Sequence, residues 1–297
     1  MSGRDIEMTV FDLFSLAYFK WRVITVSTVV GLLLAGVISV SQSNVYRSSV
    51  VLAPAENGQL NSLQSIAGGL GGLAGLAGMS LGGDSTQIRF SLAYLRSYEF
   101  LSGFIAKHDL LAEVVAANGW DPSGNVVTYD EKLYDSAIRA WVTEAGSPSL
   151  QYASELLSEQ IRIDEDGSSG FVELSVTHFS PYLAKQWLDF IVSDLNEYMR
   201  NHDIEQAQRS IDYLSAQIES TSISEMNAVF YGLIEEQTKK MMLASIRDEY
   251  VFTRVGVPYV PERKIYPRRA VMVALGGALG LVLGFLIVLV REKFLAV

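Results

Sequence analysis

Residues 270–290 read AVMVALGGALGLVLGFLIVLV, 21 residues without an ionisable group, closed by Arg291. Residues 23–40 read VITVSTVVGLLLAGVISV, 18 residues inside the charge-free interval between Arg22 and Arg47. A hydrocarbon core of about 30 Å takes roughly 20 helical residues, so both stretches are long enough to span it. A cleaved signal peptide is the alternative for the first. Its apolar part is long, and Val40-Ser41-Gln42-Ser43 is a poor small-x-small cleavage site. A buried core helix is the alternative for the second, and a run of 21 uncharged residues speaks against it. Two spans divide the chain into a tail 1–22, a transmembrane helix 23–40, an external domain 41–269, a transmembrane helix 270–290 and a tail 291–297.

Basic residues set the orientation. Arg4, Lys20 and Arg22 precede the first span and only Arg47 follows closely, which places the amino terminus in the cytoplasm. The second span disagrees, because Arg254, Arg263, Lys264, Arg268 and Arg269 precede it. The first helix takes precedence, since long loops translocate largely regardless of charge. Residues 41–269 hold 18 basic and 29 acidic residues, a formal charge of −11.

Composition narrows the function. Of the 297 residues 49% are hydrophobic and 19% charged, below the roughly 25% charge of an ordinary soluble domain. Without cysteine there is no disulfide, no thiolate metal site and no cysteine nucleophile. His108, His178 and His202 are far apart in sequence, so neither a metal site nor a cofactor is expected. The net charge of −10 argues against nucleic acid as a partner.

Inside the tail, Ile6, Val10, Leu13, Phe14 and Ala17 form an amphipathic stripe suited to the inner membrane interface, with a partner-binding helix as the alternative. Tyr46–Ala53 reads as a strand ended by Pro54. The segment 67–83, AGGLGGLAGLAGMSLGG, lacks the Gly-Lys-Ser/Thr of a phosphate loop; it reads as a loop or a small-residue packing surface. Helical spacing runs from Ser91 to Ala117, with further helices expected over about 130–142 and 149–160. Asp164-Glu165-Asp166-Gly167 lacks calcium-loop spacing and reads as a hairpin turn before a strand at 171–178. On that strand His178 is expected to be a satisfied core residue.

Ser180-Pro181 is a helix start, and from there to Pro258 glycine occurs once, at Gly232, and proline not at all. Ile204, Ala207, Ile211, Leu214 and Ile218 alternate gaps of three and four, the seam of a helix packed on another. A single straight helix over 182–250 would reach about 100 Å at 1.5 Å per residue. The 19 residues 251–269 could return at most about 65 Å. If such a helix began near the membrane the loop could not close, which favours a helical hairpin turning near 220–224, where STSIS is a weak helix former. A single helix starting at a distant apex is the alternative, and it would strand 171–178 far from the other strands. A short strand over 251–257 is expected to pair with 46–53 in a membrane-proximal base, with Pro258, Pro261 and Pro267 stiffening the approach to the bilayer. Gly276, Gly280 and Gly284 repeat every fourth residue and are expected to add a close-packing face between copies of the chain. The predicted fold class is an α+β membrane protein: two transmembrane helices flanking a small α/β base and a long helical hairpin.

This order of elements resembles the Wzz-type polysaccharide co-polymerases, the chain-length determinants of bacterial surface polysaccharides. Similar in particular are Leu233-Ile234-Glu235-Glu236-Gln237, the run 244–252 (ASIRDEYVF), and Val260-Pro261-Glu262 through Pro267-Arg268-Arg269. Ser180-Pro181 with Ala184 and the segment 67–83 also fit. The resemblance implies an inner-membrane homo-oligomer of Gram-negative bacteria, both termini cytoplasmic and the main domain periplasmic. It also implies contact with membrane lipid, the polysaccharide polymerase and the growing lipid-linked glycan. Glu235, Glu236, Arg247, Asp248 and Glu249 then become the candidate glycan or partner surface. Branches of the family that carry a cytoplasmic ATPase place it after the second span, where seven residues stand here.

Three functions of different class compete. A non-enzymatic regulator of O-antigen or related glycan length acts as an oligomeric scaffold. An exporter scaffold for capsule or exopolysaccharide is the alternative. A membrane-anchored glycan hydrolase or transferase would need a paired acid site; nearly all the acids fall on expected helix faces, where solvation explains them. The reading is therefore not an enzyme.

Overall fold

The computed structural model describes residues 20–55, 83–143, 146–167, 170–220 and 223–295. The amphipathic stripe in the tail and the glycine-rich run up to residue 82 lie outside these residues. The chain divides into two compact units, residues 1–45 with 263–297, and residues 46–262.

The first unit is built on a helix pair, α1 (Trp21–Ser41) and a carboxy-terminal helix, Arg269–Leu295, numbered α8 below. Both are long and apolar enough to cross a membrane. Leu33 and Val37 on the first, and Leu279 and Leu283 on the second, are more than half exposed. The polar side chains of α1 are satisfied locally: the Ser27 and Thr28 hydroxyls donate to the Ile24 carbonyl at 2.9 and 2.8 Å.

The two helices meet along small residues. A Cβ at Gly276 would strike Ala35 and the Gly31 carbonyl, one at Gly280 the backbone of Ser27 and Thr28, and one at Gly284 Ser27 and Ile24. Rising numbers on one helix meet falling numbers on the other, so the pair is antiparallel. The glycine face assigned from sequence to contacts between copies is here occupied by α1 of the same chain. The reason lies in α1, whose Ser27, Gly31 and Ala35 form a matching row at spacing four. Where the chain leaves and rejoins the pair, Val45 N–H donates to the Tyr266 carbonyl and Ile265 N–H to the Val45 carbonyl, both at 2.9 Å.

The second unit centres on β1 (Tyr46–Pro54). Its further elements are α2 (Gly83–Leu95), α3 (Tyr98–Lys107), α4 (Leu111–Val115), β2 (Ala117–Asp121), β3 (Val126–Tyr129), β4 (Tyr134–Asp135) and β5 (Ala140–Trp141). Then come α5 (Leu150–Gln160), β6 (Ile161–Glu165), β7 (Val172–His178), α6 (Pro181–Ser220), α7 (Ser224–Ser245) and β8 (Phe252–Arg254). The four-stranded sheet is antiparallel in the order β6-β7-β1-β8. Register runs Tyr46↔His178 to Leu52↔Val172 on one side of β1 and Leu52↔Arg254 to Pro54↔Phe252 on the other. Val50, Leu52, Val172, Leu174 and Val176 form a buried core with Trp187, Leu188, Ile191, Leu195 and Met199 of α6.

Several expectations give way to local chemistry. The helix expected over 91–117 is broken after Leu95, because the Ser97 hydroxyl accepts the Phe100 N–H at 3.2 Å and starts α3 afresh. Asp109, at φ 53, breaks it again between α3 and α4, and after Val115 the chain forms the β2–β3 hairpin. No helix occupies 130–142. Asp130 accepts the Lys132 N–H at 3.0 Å and Asp135 the Ala137 N–H at 2.9 Å, so side chains capture amides a helix would need. Strand β6 also went unforeseen, whereas β6 and β7 do flank the acidic turn. The hairpin forms with its break between Ser220 and Ser224. Its second helix stops at Ser245 rather than near 250, and β8 spans three residues rather than 251–257.

Candidate functional site

The root of the hairpin is where distant parts of the chain converge. Asn196, on α6 and 3% exposed, accepts the backbone N–H groups of Tyr250, Val251 and Phe252 through Oδ1 at 3.1, 2.8 and 3.0 Å. Its Nδ2 donates to the Phe252 carbonyl at 3.0 Å. One amide thus pins the chain that leaves α7 to the helix it has just run along. This capture stops α7: amides 250–252 point to Asn196 instead of continuing a helix.

Two turns further, Asp203 is 8% exposed and serves three partners. Its Oδ2 accepts from Tyr250 OH at 2.7 Å and Gln87 Nε2 at 3.1 Å, and lies 3.4 Å from Lys240 Nζ. Burial and the Asp203 carboxylate push the Tyr250 phenol well above its usual range, so it remains a donor. Arg200 donates to the Arg247 carbonyl at 3.3 Å. On the opposite side of α6, Asp194 pairs with Lys107 at 2.9 Å and with His108 at 2.8 Å, tying α3 to the same helix. The His108 ring stacks on Phe190 at 4.2 Å.

The candidate surface from sequence is spread over this region rather than gathered. Glu235 is exposed on α7 and pairs with Lys239 at 2.6 Å, which holds its carboxyl below the usual range. Glu236 is exposed beside it. Arg247, Asp248 and Glu249 lie beyond the end of α7, where Glu249 Oε1 stands 3.6 Å from Arg254 NH1. Pro258, Pro261 and Pro267 are all buried. Ser48 Oγ donates to the Tyr259 carbonyl at 2.9 Å, holding that extended segment along β1.

Sequence reasoning missed Asn196 and Asp203, which bind the segment 250–252 some 47 to 56 residues further along the chain. It also missed a stripe on α7. Asn227, Phe230, Ile234, Gln237, Met241 and Ala244 turn inward, again with gaps of three and four. Beside them Met226, Val229 and Leu233 remain 43%, 57% and 40% exposed. That spacing was readable from Phe230, Ile234, Met241 and Ala244, although the amides Asn227 and Gln237 interrupt its apolar character.

His178, 2% exposed, supplies a pH test. Its Nδ1 accepts the Ser180 N–H at 3.0 Å, next to the cap of α6, where Ser180 Oγ in turn accepts the Leu183 N–H. Burial lowers its pKa from 6.5 to about 4. The unfolded chain takes up this proton near pH 6.5 and the folded chain resists until about 4. Stability from this group is therefore complete above pH 6.5 and falls through that window by about 3 kcal/mol. Urea midpoints of the full chain should drop between pH 7 and 4.5, and a His178→Phe variant should flatten the change. Parallel pH profiles for the two proteins would assign the effect elsewhere.

Among the described residues no group of three or more His, Cys, Asp or Glu could hold a metal ion. No family model and no curated protein matches the chain. Solved structures similar to it include two polysaccharide co-polymerases. One is a full-length bacterial polysaccharide co-polymerase, 14% identical, covering 96% of this chain and 98% of that one at a TM-score of 0.42. The other is a fragment of WzzB, a polysaccharide co-polymerase from Salmonella Typhimurium, 10% identical. It covers 75% of this chain and 100% of that one at a TM-score of 0.31.

Proposed function

We propose that this chain is a non-enzymatic regulator of surface polysaccharide chain length, working as an oligomeric scaffold beside the polymerase that extends a lipid-linked glycan. The observation that supports it most is the order of elements. An apolar helix, a sheet strand, a 40-residue helix doubled back on a second, a proline segment and a glycine-rich apolar helix follow one another along the chain. The sequence blocks at 233–237, 244–252 and 260–269 that carry the Wzz resemblance fall at α7, the hairpin root and the proline segment. In this reading the helix pair sits in the inner membrane, both ends of the chain are cytoplasmic, and residues 46–262 are periplasmic. The exposed row Met226, Val229 and Leu233 serves contact with a second copy, since the inner row of α7 is already used against α6.

Polysaccharide from a deletion strain, run as a silver-stained ladder, tests the proposal. Polymer should persist but lose its preferred length. The wild-type gene should restore that length, and a Val229→Asp/Leu233→Asp variant should restore it poorly and run as a smaller species in detergent. Loss of surface polymer altogether would favour an export scaffold. An unchanged ladder would refute length control.

A further inference from the structure

We propose that a cleft between α3 and α5 is a subsite for one neutral pyranose unit of a glycan. The inference rests on the function proposed above and adds to it a place and a ligand class. The cleft has a volume of about 330 Å³, at the small end of ligand pockets. Its rim carries Arg96, Tyr98, Gln151 and Glu155, and its floor includes Leu101 and Ser154, both nearly fully buried.

The side chains suit a sugar ring. Tyr98 is 56% exposed, so its face is open to the C–H side of a pyranose. The guanidinium, the amide and the carboxylate are planar groups with two polar atoms side by side, a match for neighbouring hydroxyls. They are also largely unspent. Among the described residues Arg96 and the Tyr98 hydroxyl have no hydrogen-bond or ion-pair partner, and Gln151 Nε2 reaches Glu155 Oε1 at a long 3.4 Å. The floor hydroxyl of Ser154 donates to the Leu150 carbonyl at 2.7 Å, which leaves its lone pairs free to accept.

Local folding explains why these groups gather. Ser97 and Ser149 cap α3 and α5, each accepting an N–H at 3.2 Å, and so fix where both helices begin. Tyr98 and Gln151 then stand in the first turns, with Arg96 just ahead of the cap. Charge selects the ligand. On the rim Arg96 and Glu155 balance each other, so the cleft itself favours no net charge, while residues 41–269 around it carry a formal −11 that repels a polyanionic glycan and not a neutral one.

Saturation-transfer NMR on the full chain in nanodiscs tests the subsite. The probes are maltotriose, trigalacturonate, and repeat units released from the host's own surface polysaccharide by mild acid. Saturable binding of a neutral probe is expected, weakened about tenfold by Tyr98→Ala and by Arg96→Ala but retained by Tyr98→Phe. Thermal melting confirms that these surface variants are folded. Binding of trigalacturonate alone, no saturable binding, or binding indifferent to both alanine variants overturns the subsite. Failure of the wider reading looks different: the deletion strain keeps its ladder. If that ladder changes, while the double alanine variant restores it fully and no probe binds, the subsite alone is wrong.

Discussion

Replacing Asn196 with leucine should lower the thermal midpoint of the 46–262 unit by about 8–16 °C. Leucine has similar bulk, so packing changes little, but three backbone N–H groups and the Phe252 carbonyl lose their partner at once. Leaving a buried amide unpaired costs about 1–3 kcal/mol, so three together cost roughly 4 kcal/mol or more even after local relaxation. For a unit of this size each kcal/mol corresponds to about 2–4 °C. Circular dichroism melts of the full chain in detergent measure the shift. Hydrogen exchange adds a second reading, with amides 250–252 losing protection before the rest of the sheet. A midpoint within about 2 °C of wild type would show that these amides find other acceptors and that the hairpin root does not depend on Asn196.

Gly280→Leu should separate the α1–α8 pair. Even a methyl group there meets backbone, the Ser27 carbonyl and the Thr28 Cα at 3.0 Å, and backbone cannot rotate away as a flexible side chain can. Overpacking costs about 1–3 kcal/mol in ordinary cores, and a contact against backbone belongs at the upper end. About 3 kcal/mol shifts an equilibrium by roughly a hundredfold, enough to turn a closed pair into a mixture. The chain has no cysteine, so spin labels on cysteines introduced at Lys20 and Arg291 report on this pair without background. The parent should give a narrow distance distribution, Gly280→Ala a broader one, and Gly280→Leu the broadest. Three identical narrow distributions would mean that the glycine row does not set the approach of the helices. Glycan ladders from the same strains separate roles: a widened pair with normal length control would place that control outside the helix pair.

The sheet and the hairpin differed in how much of them local signals carried. Ser180-Pro181 marked the start of α6 because a hydroxyl cap and a ring with φ near −65° act on the very next turn. The break before α7 was readable from the STSIS run, since weak helix formers act residue by residue. The two apolar helices were readable because charge is excluded from them along their whole length. Where competing interactions were equally local, the signals could be misread: Ser97, Asp130 and Asp135 each had the composition of a helix interior and the side chain of a cap or turn.

The candidate site divides along the same line. Glu235 and Lys239 stand four residues apart on one helix, so that pair follows from spacing alone. Asn196 gave no sign of its role, for an asparagine in the middle of an apolar stripe reads as a tolerated polar residue. The glycines at 276, 280 and 284 announced a close approach, which the sequence reading assigned to a second copy; that α1 of the same chain receives them became visible only once the helices lay side by side.

By itself, then, the sequence determined the two charge-free helices, the start and the break of the hairpin, the strand that ends at His178 and the pairing of the strand after α1 with the one before α8. These rest on interactions spanning a few residues or on chain length, and a linear reading contains both. Tertiary structure alone decided that β1 lies between β7 and β8, that Asn196 and Asp203 bind a segment about fifty residues away, and that the glycine row is spent within the chain. A buried polar group must be satisfied by whichever partner folding brings to it, and that partner's identity is a property of the packed molecule, not of the neighbouring sequence.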